Sequence, residues 1–314
     1  MQQINIKKYC PTYQELWNKF ILKSKNGNFL FDRRYMEYHA DRFEDCSIMF
    51  FDERERLVGV MPATRQGDIV VSHGGLTYGG VISNEDMKTS TMLHLFDAMF
   101  GYLRKFGCTK LVYKAIPYIF HRIPAEEDLY ALFVNNAILF RRDASSAIYL
   151  PERMKFAKGK KEGVKKAQRA GLDVRASRDF TTFFGIGLQV MRERHKLTPV
   201  HTNEEMEVLA GRFPDNIALH ASFAGERMLA GALTFVFPRS VHVQYMYNSD
   251  EGLEQGALDI VMDYLINRIY QDFSYFSFGV STEAGGRYLN EGLIHQKEMF
   301  GARSVVHDFY EINI

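Results

Sequence analysis

The sequence has little cysteine and no long apolar run, and each scarcity excludes a class of protein. The three cysteines, Cys10, Cys46 and Cys108, form no C-x-x-C pair, which argues against a disulfide framework or a structural zinc site. No stretch approaches the roughly 18 apolar residues of a membrane span, and residues 1–8 are polar, unlike a signal peptide. We therefore expect a cytoplasmic protein with no integral membrane association and no metal.

An excess of charge of one sign is also missing. The 314 residues include 39 Lys and Arg against 38 Asp and Glu, which argues against a surface built entirely for nucleic acid. Residues 153–169 are the exception, with eight basic residues and one acid, Glu162. This run is predicted to bind phosphates through Lys161 and Lys165, although a solvated helix face is the alternative.

The hydrophobic pattern predicts a mixed α/β chain in which the order of elements partly repeats. In the first half, strands are expected at 4–8, 47–51, 56–62, 68–72, 110–115 and 147–150, and helices at 13–21 and 87–106. In the second half, strands are expected at 172–176, 217–223, 228–237, 241–247, 275–280 and 304–312, and helices at 180–197, 203–213 and 257–271. Length and repetition predict two domains, residues 1–150 and residues 151–314, the second beginning with a basic helix.

The element order in residues 172–312 is that of the GNAT acyltransferase fold, and a shorter variant precedes it. Two such units in one chain resemble the FemAB-like proteins. The stretches that carry the resemblance are Tyr78-Gly79-Gly80, the basic helix ending at Gly171-Leu172, Gly231-Ala232, Phe278-Gly279-Val280-Ser281 and Phe300-Gly301. Residues 72–80, 121–130 and 286–292 further resemble a bacterial subgroup of GNAT-family acetyltransferases, some from surface-polysaccharide gene clusters.

The resemblance implies an α/β (α+β) fold of two tandem GNAT-like units, each with a mixed, mostly antiparallel sheet flanked by helices. It implies an N-acyltransferase that acts on an amino group of a cell-envelope precursor, such as an amino sugar or a peptidoglycan peptide, which is nucleotide-linked or lipid-linked. The donor is acyl-CoA in GNAT enzymes and aminoacyl-tRNA in the FemAB enzymes. The alternative is a non-catalytic GNAT-like protein that binds a glycan or a protein partner.

One departure from the GNAT pattern concerns the donor. Acyl-CoA-binding units place Gln/Arg-x-x-Gly-x-Gly/Ala before a helix, whose N-terminus holds pyrophosphate. Residues 248–257 keep only Gly256-Ala257 at that position and add three acids, Asp250, Glu251 and Glu254. These carboxylates would repel a pyrophosphate, which argues against CoA in this unit.

Acyl transfer to an amine requires a base for the amine proton and an acid for the leaving group. Glu283 directly follows a predicted strand, where open α/β sheets gather ligands, and is the first candidate for the base or the amine-binding group. Tyr288 is the candidate acid, from the region that supplies a tyrosine in many GNAT enzymes. The alternatives are that residues 281–283 only cap a turn and that Tyr288, one of 17 tyrosines, is a packing residue.

Seven further residues are predicted to bind substrate, in four segments that combine cations, aromatic rings and glycines. Arg287 and Lys297 lie near the last strand, although a pair with Glu291 or a solvated side chain is the alternative. The glycines of residues 73–80 let a backbone approach a ligand, or serve plain turns. Residues 124–128 also fit the first turn of a helix. The full set is His73, Tyr78, His121, Arg122, Tyr245, Arg287 and Lys297.

Two histidines near the middle of the chain are interpreted differently. His195 and His201 are six residues apart across Pro199, which does not match the i, i+4 spacing of a helical metal site. We interpret them as positioning or structural residues.

Overall fold

The computed structural model describes residues 3–194 and 201–314. Its internal contacts divide the chain into two compact units. Unit 1 contains the residues up to Asp143, together with Glu283–Tyr288 and Val306–Ile314; unit 2 contains Ala144–Thr282 and Leu289–Val305. The predicted domain boundary at residue 150 stays a prediction.

Unit 1 contains two sheets and four helices among its described residues. Its helices are α1 (Gln14–Lys23), α2 (Arg33–Met36), α3 (Thr89–Lys105) and α4 (Glu127–Val134). Its strands are β1 (Asn5–Lys8), β2 (Glu44–Asp45), β3 (Ile48–Phe51), β4 (Leu57–Met61), β5 (Thr64–Gln66), β6 (Ile69–Val71), β7 (Ile82–Ser83), β8 (Lys110–Lys114) and the first half of β9 (Ile138–Tyr149). The smaller sheet has the antiparallel order β1-β3-β4-β7.

The core of unit 1 follows from the helical spacing of α3. Met92, Leu95, Phe96 and Met99 recur at intervals of three and four residues, and all four side chains are buried in one cluster. In α1 the single tryptophan, Trp17, is fully buried, and its indole N–H donates to the carbonyl oxygen of Phe31 at 2.8 Å. The apolar periodicity of both helices therefore reports their buried faces.

Unit 2 has one sheet with helices on both faces. Its helices are α5 (Lys158–Arg169), α6 (Phe180–Arg194), α7 (Asn203–Arg212), α8 (Asp250–Gln255), α9 (Ala257–Tyr264) and α10 (Glu291–Glu298). The strands that follow β9 in the chain are β10 (Asp173–Ser177), β11 (Ile217–Ala224), β12 (Arg227–Val236), β13 (Ser240–Asn248), β14 (Tyr275–Val280), β15 (Thr282–Glu283), β16 (Tyr288–Leu289) and β17 (Arg303–Asn313). The sheet order is β10-β11-β12-β13-β14 and then residues 145–149 of β9.

Among the residues that the structure describes, each unit contains one parallel strand pair within an otherwise antiparallel sheet. In unit 2 the parallel pair is β13 and β14. In unit 1 it is β6 and β8, within the order β2-β5-β6-β8-β17. The strand beside β8 comes from the end of the chain, residues 309–313 of β17, so unit 1 is not a continuous stretch of sequence. The predicted fold of two mixed, mostly antiparallel units is confirmed.

Several element boundaries differ from the predicted ones. The strand expected at 147–150 begins at Ile138. The helix expected at 257–271 is α-helical to Tyr264 and then forms a π-turn at Leu265–Ile269. Helix α8 was not predicted, because its six residues are too few to show a period; the Ser249 side chain caps it by accepting from the Gly252 N–H at 3.0 Å. The helix expected at 180–197 extends to Arg194, and Leu197 lies outside the described residues.

No helix within the described ranges has the length and apolar content needed to span a membrane.

Candidate active site

The parallel strands of unit 2 separate after three residue pairs. Ser240, Val241 and His242 of β13 pair with residues 275–277 of β14, and no further pair follows along the two strands. Both strands are irregular at this point: the register of β13 against β12 shifts so that Gln244 has no partner, and β14 shifts against β9 at Phe278. Such bulges bend a strand. We call the opening between β13 and β14 the fork.

His242 lies at the base of the fork. Its Nδ1 is 3.2 Å from the Oγ of Ser277 on the facing strand, and the side chain of His242 is half-buried. The Ser277 Oγ also accepts from the backbone N–H of Gly279 at 3.3 Å. The imidazole of His242 and the hydroxyl of Ser277 are therefore hydrogen-bonded at the point where the two strands diverge.

Lys297 of α10 anchors the end of β14. Its ammonium donates to the carbonyl oxygens of Gly279 at 2.9 Å and Val280 at 2.7 Å, and to the Oγ of Ser281 at 2.7 Å. The side chain is 2% exposed, and this burial lowers the pKa of Lys297 to about 8. The three N–H groups of the ammonium therefore all have acceptors, and binding an anion would require one of these hydrogen bonds to be exchanged. The substrate-binding role of Lys297 stays a prediction.

Tyr245 follows His242 on the same face of the sheet, because the bulge at Gln244 reverses the alternation between them. Its hydroxyl oxygen lies 2.8 Å from Nδ1 of His201 and accepts from the backbone N–H of His201 at 3.2 Å. The Tyr245 ring stacks on Tyr247, 5.9 Å between centroids, and meets Phe184 of α6 edge-on. His201 thus positions Tyr245, whereas His195 lies outside the described residues.

The place where GNAT units hold pyrophosphate is filled by protein. Between β13 and α9 stand α8 and Gly256, which has a left-handed backbone with φ of 73°. A Cβ at Gly256 would lie 2.3 Å from the carbonyl oxygen of Gly163 in α5, so α5 packs directly on the start of α9. In the first turn of α9, Asp259 accepts from the ammonium of Lys160 at 2.7 Å. Backbone and carboxylate groups therefore stand where a pyrophosphate would need donors.

The basic segment forms α5, which buries Val164 and Ala167 and turns most of its cations outward. Lys161 is exposed and lines a cavity of about 250 Å³ with Arg153, Lys155 and Asp263. Lys165 is also exposed and pairs with Glu162 at 3.1 Å. Phosphate binding by these two lysines stays a prediction.

The glycine-rich loop of unit 1 is packed tightly. His73 is 4% exposed and has a positive φ of 59°. Tyr78 is also buried: its hydroxyl oxygen accepts from the Asn28 side-chain amide at 3.2 Å, its ring stacks on Phe120 at 5.0 Å, and burial raises its pKa. Substrate contacts by His73 and Tyr78 remain predictions.

His121 and Arg122 lie beside a buried ion pair that sequence reasoning missed. The His121 Nε2 is 3.0 Å from the carbonyl oxygen of Ile116, and burial lowers the His121 pKa to about 4, so the ring is neutral at pH 7. The backbone N–H of Arg122 donates to the carbonyl oxygen of Lys25. The Lys25 ammonium lies 2.5 Å from Oε1 of Glu127 and is 3% exposed. The predicted substrate roles of His121 and Arg122 remain untested.

The segment with the predicted acid and base lies on the surface of unit 1. Glu283, Arg287 and Tyr288 are all exposed, Tyr288 by 60%. Between them Gly286 has φ of 84°, and a Cβ there would lie 2.2 Å from the carbonyl oxygen of Arg142. The glycine thus fixes the segment closely against β9, while the side chains of Glu283 and Tyr288 stay accessible.

The family model of the acetyltransferase (GNAT) domain matches residues 154–288. These residues, which make up less than half of the chain, are similar to the GNAT acetyltransferase domain. The match confirms the predicted GNAT resemblance and the prediction of an acyltransferase, so acyl-group transfer is the reaction class of the chain. No curated protein matches the chain significantly.

Solved structures extend the likeness of fold beyond the GNAT domain. FemX has 11% sequence identity and a TM-score of 0.69, covering 98% of this chain and 97% of FemX. L-PGS from Bacillus licheniformis has 12% identity and a TM-score of 0.61, covering 96% of this chain and 91% of L-PGS. A tandem GNAT protein from the clavulanic acid biosynthesis pathway has 9% identity and a TM-score of 0.51, covering 99% of this chain and 98% of that protein. At such identities the likeness concerns the fold alone, and it confirms the predicted fold of two GNAT-like units.

The structure divides the predicted site residues between the units. In unit 2 it places Tyr245 on β13 of the fork, Lys297 on α10 with its ammonium bound to the end of β14, and Lys161 and Lys165 on α5. The other seven residues belong to unit 1. Sequence reasoning missed His242 and Ser277 in the GNAT domain. The signal for His242 was available, since His242 and Gln244 are polar residues at alternate positions in an otherwise apolar strand.

Proposed function

We propose that the chain transfers an acyl or aminoacyl group to an amino group of a cell-envelope precursor, such as an amino sugar or a peptidoglycan peptide. The observation that carries this proposal is the GNAT domain at residues 154–288 with its open fork. The fold shared with FemX along 98% of the chain supports the cell-envelope acceptor, because the FemAB resemblance implies one. The acceptor would be nucleotide-linked or lipid-linked, and the reaction would take place in the cytoplasm.

The roles of individual residues belong to the same proposal. Glu283 binds the amine or accepts its proton, and Tyr288 protonates the leaving group; the exposure of both side chains is compatible with contact to substrate. Tyr245 and Lys297 bind substrate at the fork. The remaining proposed substrate contacts are made by His73, Tyr78, His121, Arg122 and Arg287.

For the donor we favour aminoacyl-tRNA over acyl-CoA. The packing of Gly163 on Gly256 and the carboxylate of Asp259 occupy the pyrophosphate position of the GNAT domain. The side chains of Lys161 and Lys165 in α5 are exposed to solvent, whereas Val164 and Ala167 of the same helix are buried. An RNA backbone can use such a surface, since phosphate contacts do not require an enclosed pocket.

The test of the function offers both donors to the purified protein. Acyl-CoA and aminoacyl-tRNA are each incubated with amino-sugar nucleotides and with peptidoglycan peptide precursors, and products are identified by mass spectrometry. We expect a new amide on the acceptor with at least one donor. The absence of transfer from both donors to both acceptor classes would overturn the proposal.

A binding experiment separates the donors. The double variant Lys161→Glu, Lys165→Glu is expected to weaken tRNA binding by more than about tenfold and to reduce its dependence on salt, because fewer counterions are released. Lys23→Glu, on the exposed end of α1, is the matched control and should leave binding unchanged. Equal tRNA binding by wild type and double variant, with saturable CoA binding, would favour acyl-CoA instead.

A further inference from the structure

A cavity of about 490 Å³ lies at one end of the sheet in unit 2. It is lined by the end of β10, the last turn of α7 and the first residues of β11. This volume is within the range of pockets that bind small molecules. The lining includes three buried apolar side chains, those of Phe180, Ile217 and Leu219. The cavity therefore offers apolar contacts to a ligand of small size.

The cavity lies at the opposite end of the sheet from the open side of the fork. Ile217, at the start of β11, is paired with Phe235 of β12, and Phe235 is paired with His242 of β13. The strands β13 and β14 are still paired at His242 and separate only beyond it. A ligand in the cavity would therefore bind apart from the fork.

Two side chains of opposite charge line the cavity without forming an ion pair with each other. Arg178 directly follows β10, and Glu207 lies on α7; both side chains are exposed. Among the residues that the structure describes, neither of them has an ion-pair partner. Each can therefore bind one charged group of a ligand that carries both a negative and a positive charge.

Three residues of α7 lie on the side of the helix that lines the cavity. Glu207, Ala210 and Gly211 have the i, i+3 and i+4 spacing of neighbours on one helix face. The residue four positions after Ala210 is Pro214, which has no N–H, so the Ala210 carbonyl cannot accept the hydrogen bond of a regular α-helix. The carboxyl end of a helix attracts cations. An ammonium group can therefore be bound by the Glu207 carboxylate and the Ala210 carbonyl together.

We propose that this cavity binds a small zwitterion with an apolar side chain, namely an amino acid or a short peptide. The carboxylate of the ligand binds the guanidinium of Arg178, whose N–H groups match both carboxylate oxygens. The ammonium of the ligand binds Glu207, and its apolar side chain contacts Phe180 and Ile217. This binding is independent of the proposed acyl transfer, because it involves neither the fork nor a reaction.

The ligand class is tested with the full chain and four probes in isothermal titration calorimetry. L-Leucine and L-leucyl-L-leucine carry both charges and an apolar side chain, whereas 4-methylpentanoate carries only the carboxylate and 3-methylbutylamine only the ammonium. We expect saturable binding of at least one of the two zwitterions, and the tighter of them distinguishes an amino acid from a peptide as ligand. Each singly charged probe should bind at least about tenfold more weakly, because one charge-assisted hydrogen bond is lost.

Charge variants test the two side chains that would bind the zwitterion. Arg178→Gln and Glu207→Gln are each expected to weaken its binding by more than about tenfold without lowering the Tm, since both side chains are exposed. Arg268→Gln and Glu254→Gln are the matched controls. They remove the same charges at exposed positions of unit 2 outside the cavity and should bind the zwitterion as the wild type does.

A cavity-filling variant tests the location without changing any charge. A Cβ at Gly211 would meet no atom within 4 Å, so Gly211→Leu should keep or raise the Tm, because glycine is a poor helix former. Its side chain should occupy part of the cavity and weaken binding of the zwitterion by more than about tenfold. Gly185→Leu, at an equally open glycine of α6 outside the cavity, is the control and should leave binding unchanged.

Three results would overturn the proposal. The first is the absence of saturable binding of both zwitterions to the wild type. The second is equally tight binding of a singly charged probe, which would show that the two charges are not recognised together. The third is wild-type affinity in Arg178→Gln, Glu207→Gln or Gly211→Leu, which would place the ligand elsewhere. These results leave the proposed acyl transfer unaffected, because that function is tested by product formation.

Discussion

The ends of the two parallel strand pairs differ between the units, although both carry a buried lysine. In unit 2, β13 and β14 diverge and leave His242 and Tyr245 half-buried. In unit 1, the loop from His73 to Gly80 fills the corresponding place: the N–H of Gly79 donates to the carbonyl oxygen of Lys114, and the N–H of Val81 donates to the hydroxyl of Tyr113.

The strand ends of unit 1 are closed by packed side chains, whereas β13 and β14 of unit 2 diverge. Tyr113 is fully buried and also contacts Asp128 at 2.5 Å, in an environment that raises the pKa of Asp128 to about 6 through burial. Such a closed network stabilises its unit and offers no opening. Three experiments test this difference between the strand ends of the two units.

The first experiment uses Gly80 to test how tightly the loop from His73 to Gly80 packs at the end of the parallel strands in unit 1. A Cβ there would lie 2.6 Å from Cζ and Oη of Tyr113, and φ is 93°. We expect Gly80→Ala to lower the free energy of unfolding by about 3 kcal/mol or more, because clash and backbone strain add. Gly67→Ala is the control, since φ is 64° but no atom lies within 4 Å; about 1 kcal/mol is expected. Equal losses in urea denaturation would show that the loop is not tightly packed.

The second experiment compares how the two buried lysines, Lys297 and Lys114, make the stability of the protein depend on pH. Burial lowers the pKa of Lys297 to about 8, and burial with nearby Arg141 does the same for Lys114. Between pH 8 and 10 the unfolded chain holds these protons and the folded protein releases them, so stability rises with pH through this window. From pH 8 to pH 10, the free energy of unfolding of the wild type should increase by about 2 kcal/mol more than that of Lys297→Met.

Lys114→Met is expected to show the same relative change, and Lys23→Met, at an exposed site, is expected to show none. Denaturation curves at the two pH values measure all three. A pH-independent difference between the wild type and Lys297→Met would mean that Lys297 titrates as an exposed lysine, and the likeness of the two strand ends would fail.

The smallest effect concerns the helix beside Tyr245. Thr202 caps α7: its hydroxyl accepts from the N–H of Glu205 at 3.1 Å, and the Glu205 carboxylate accepts from the N–H of Thr202 at 3.0 Å. Thr202→Ala should cost about 1 kcal/mol of stability, whereas Thr202→Ser should keep most of it. Because the cap adjoins His201, Thr202→Ala should also raise KM for the acceptor if Tyr245 binds substrate. An unchanged Tm would show that the cap contributes nothing to unit 2.

Sequence reasoning recovered most of the fold because apolar periodicity reports burial directly. The spacing in α3 and the almost continuous apolar run of β12 follow from which side chains are buried. It failed where the signal is short or non-local. Helix α8 has too few residues to show a period, and no pattern within residues 1–150 reveals that the partner of β8 is residues 309–313.

The candidate site was recovered less completely. Glu283, Tyr288, Tyr245 and Lys297 were singled out from their positions near predicted strand ends, and their roles remain proposals. The contact between His242 and Ser277 was not predicted, because the two residues are 35 positions apart in the sequence and meet only across the fork. Lys297 was expected as a cation for an anion, whereas the structure engages all three of its N–H groups with β14.

Composition and periodicity, which depend only on neighbouring residues, were enough to predict a mixed α/β chain with one strongly basic segment. The two GNAT-like units were implied by the resemblance to the FemAB-like proteins. Tertiary structure alone decided that one parallel strand pair is open and the other filled. It also decided that α5 of the basic segment packs against the start of α9 through Gly163 and Gly256, and that His242 stands at the fork. Those features depend on bulges, packing and strand pairing between residues far apart in the chain, which no local pattern encodes.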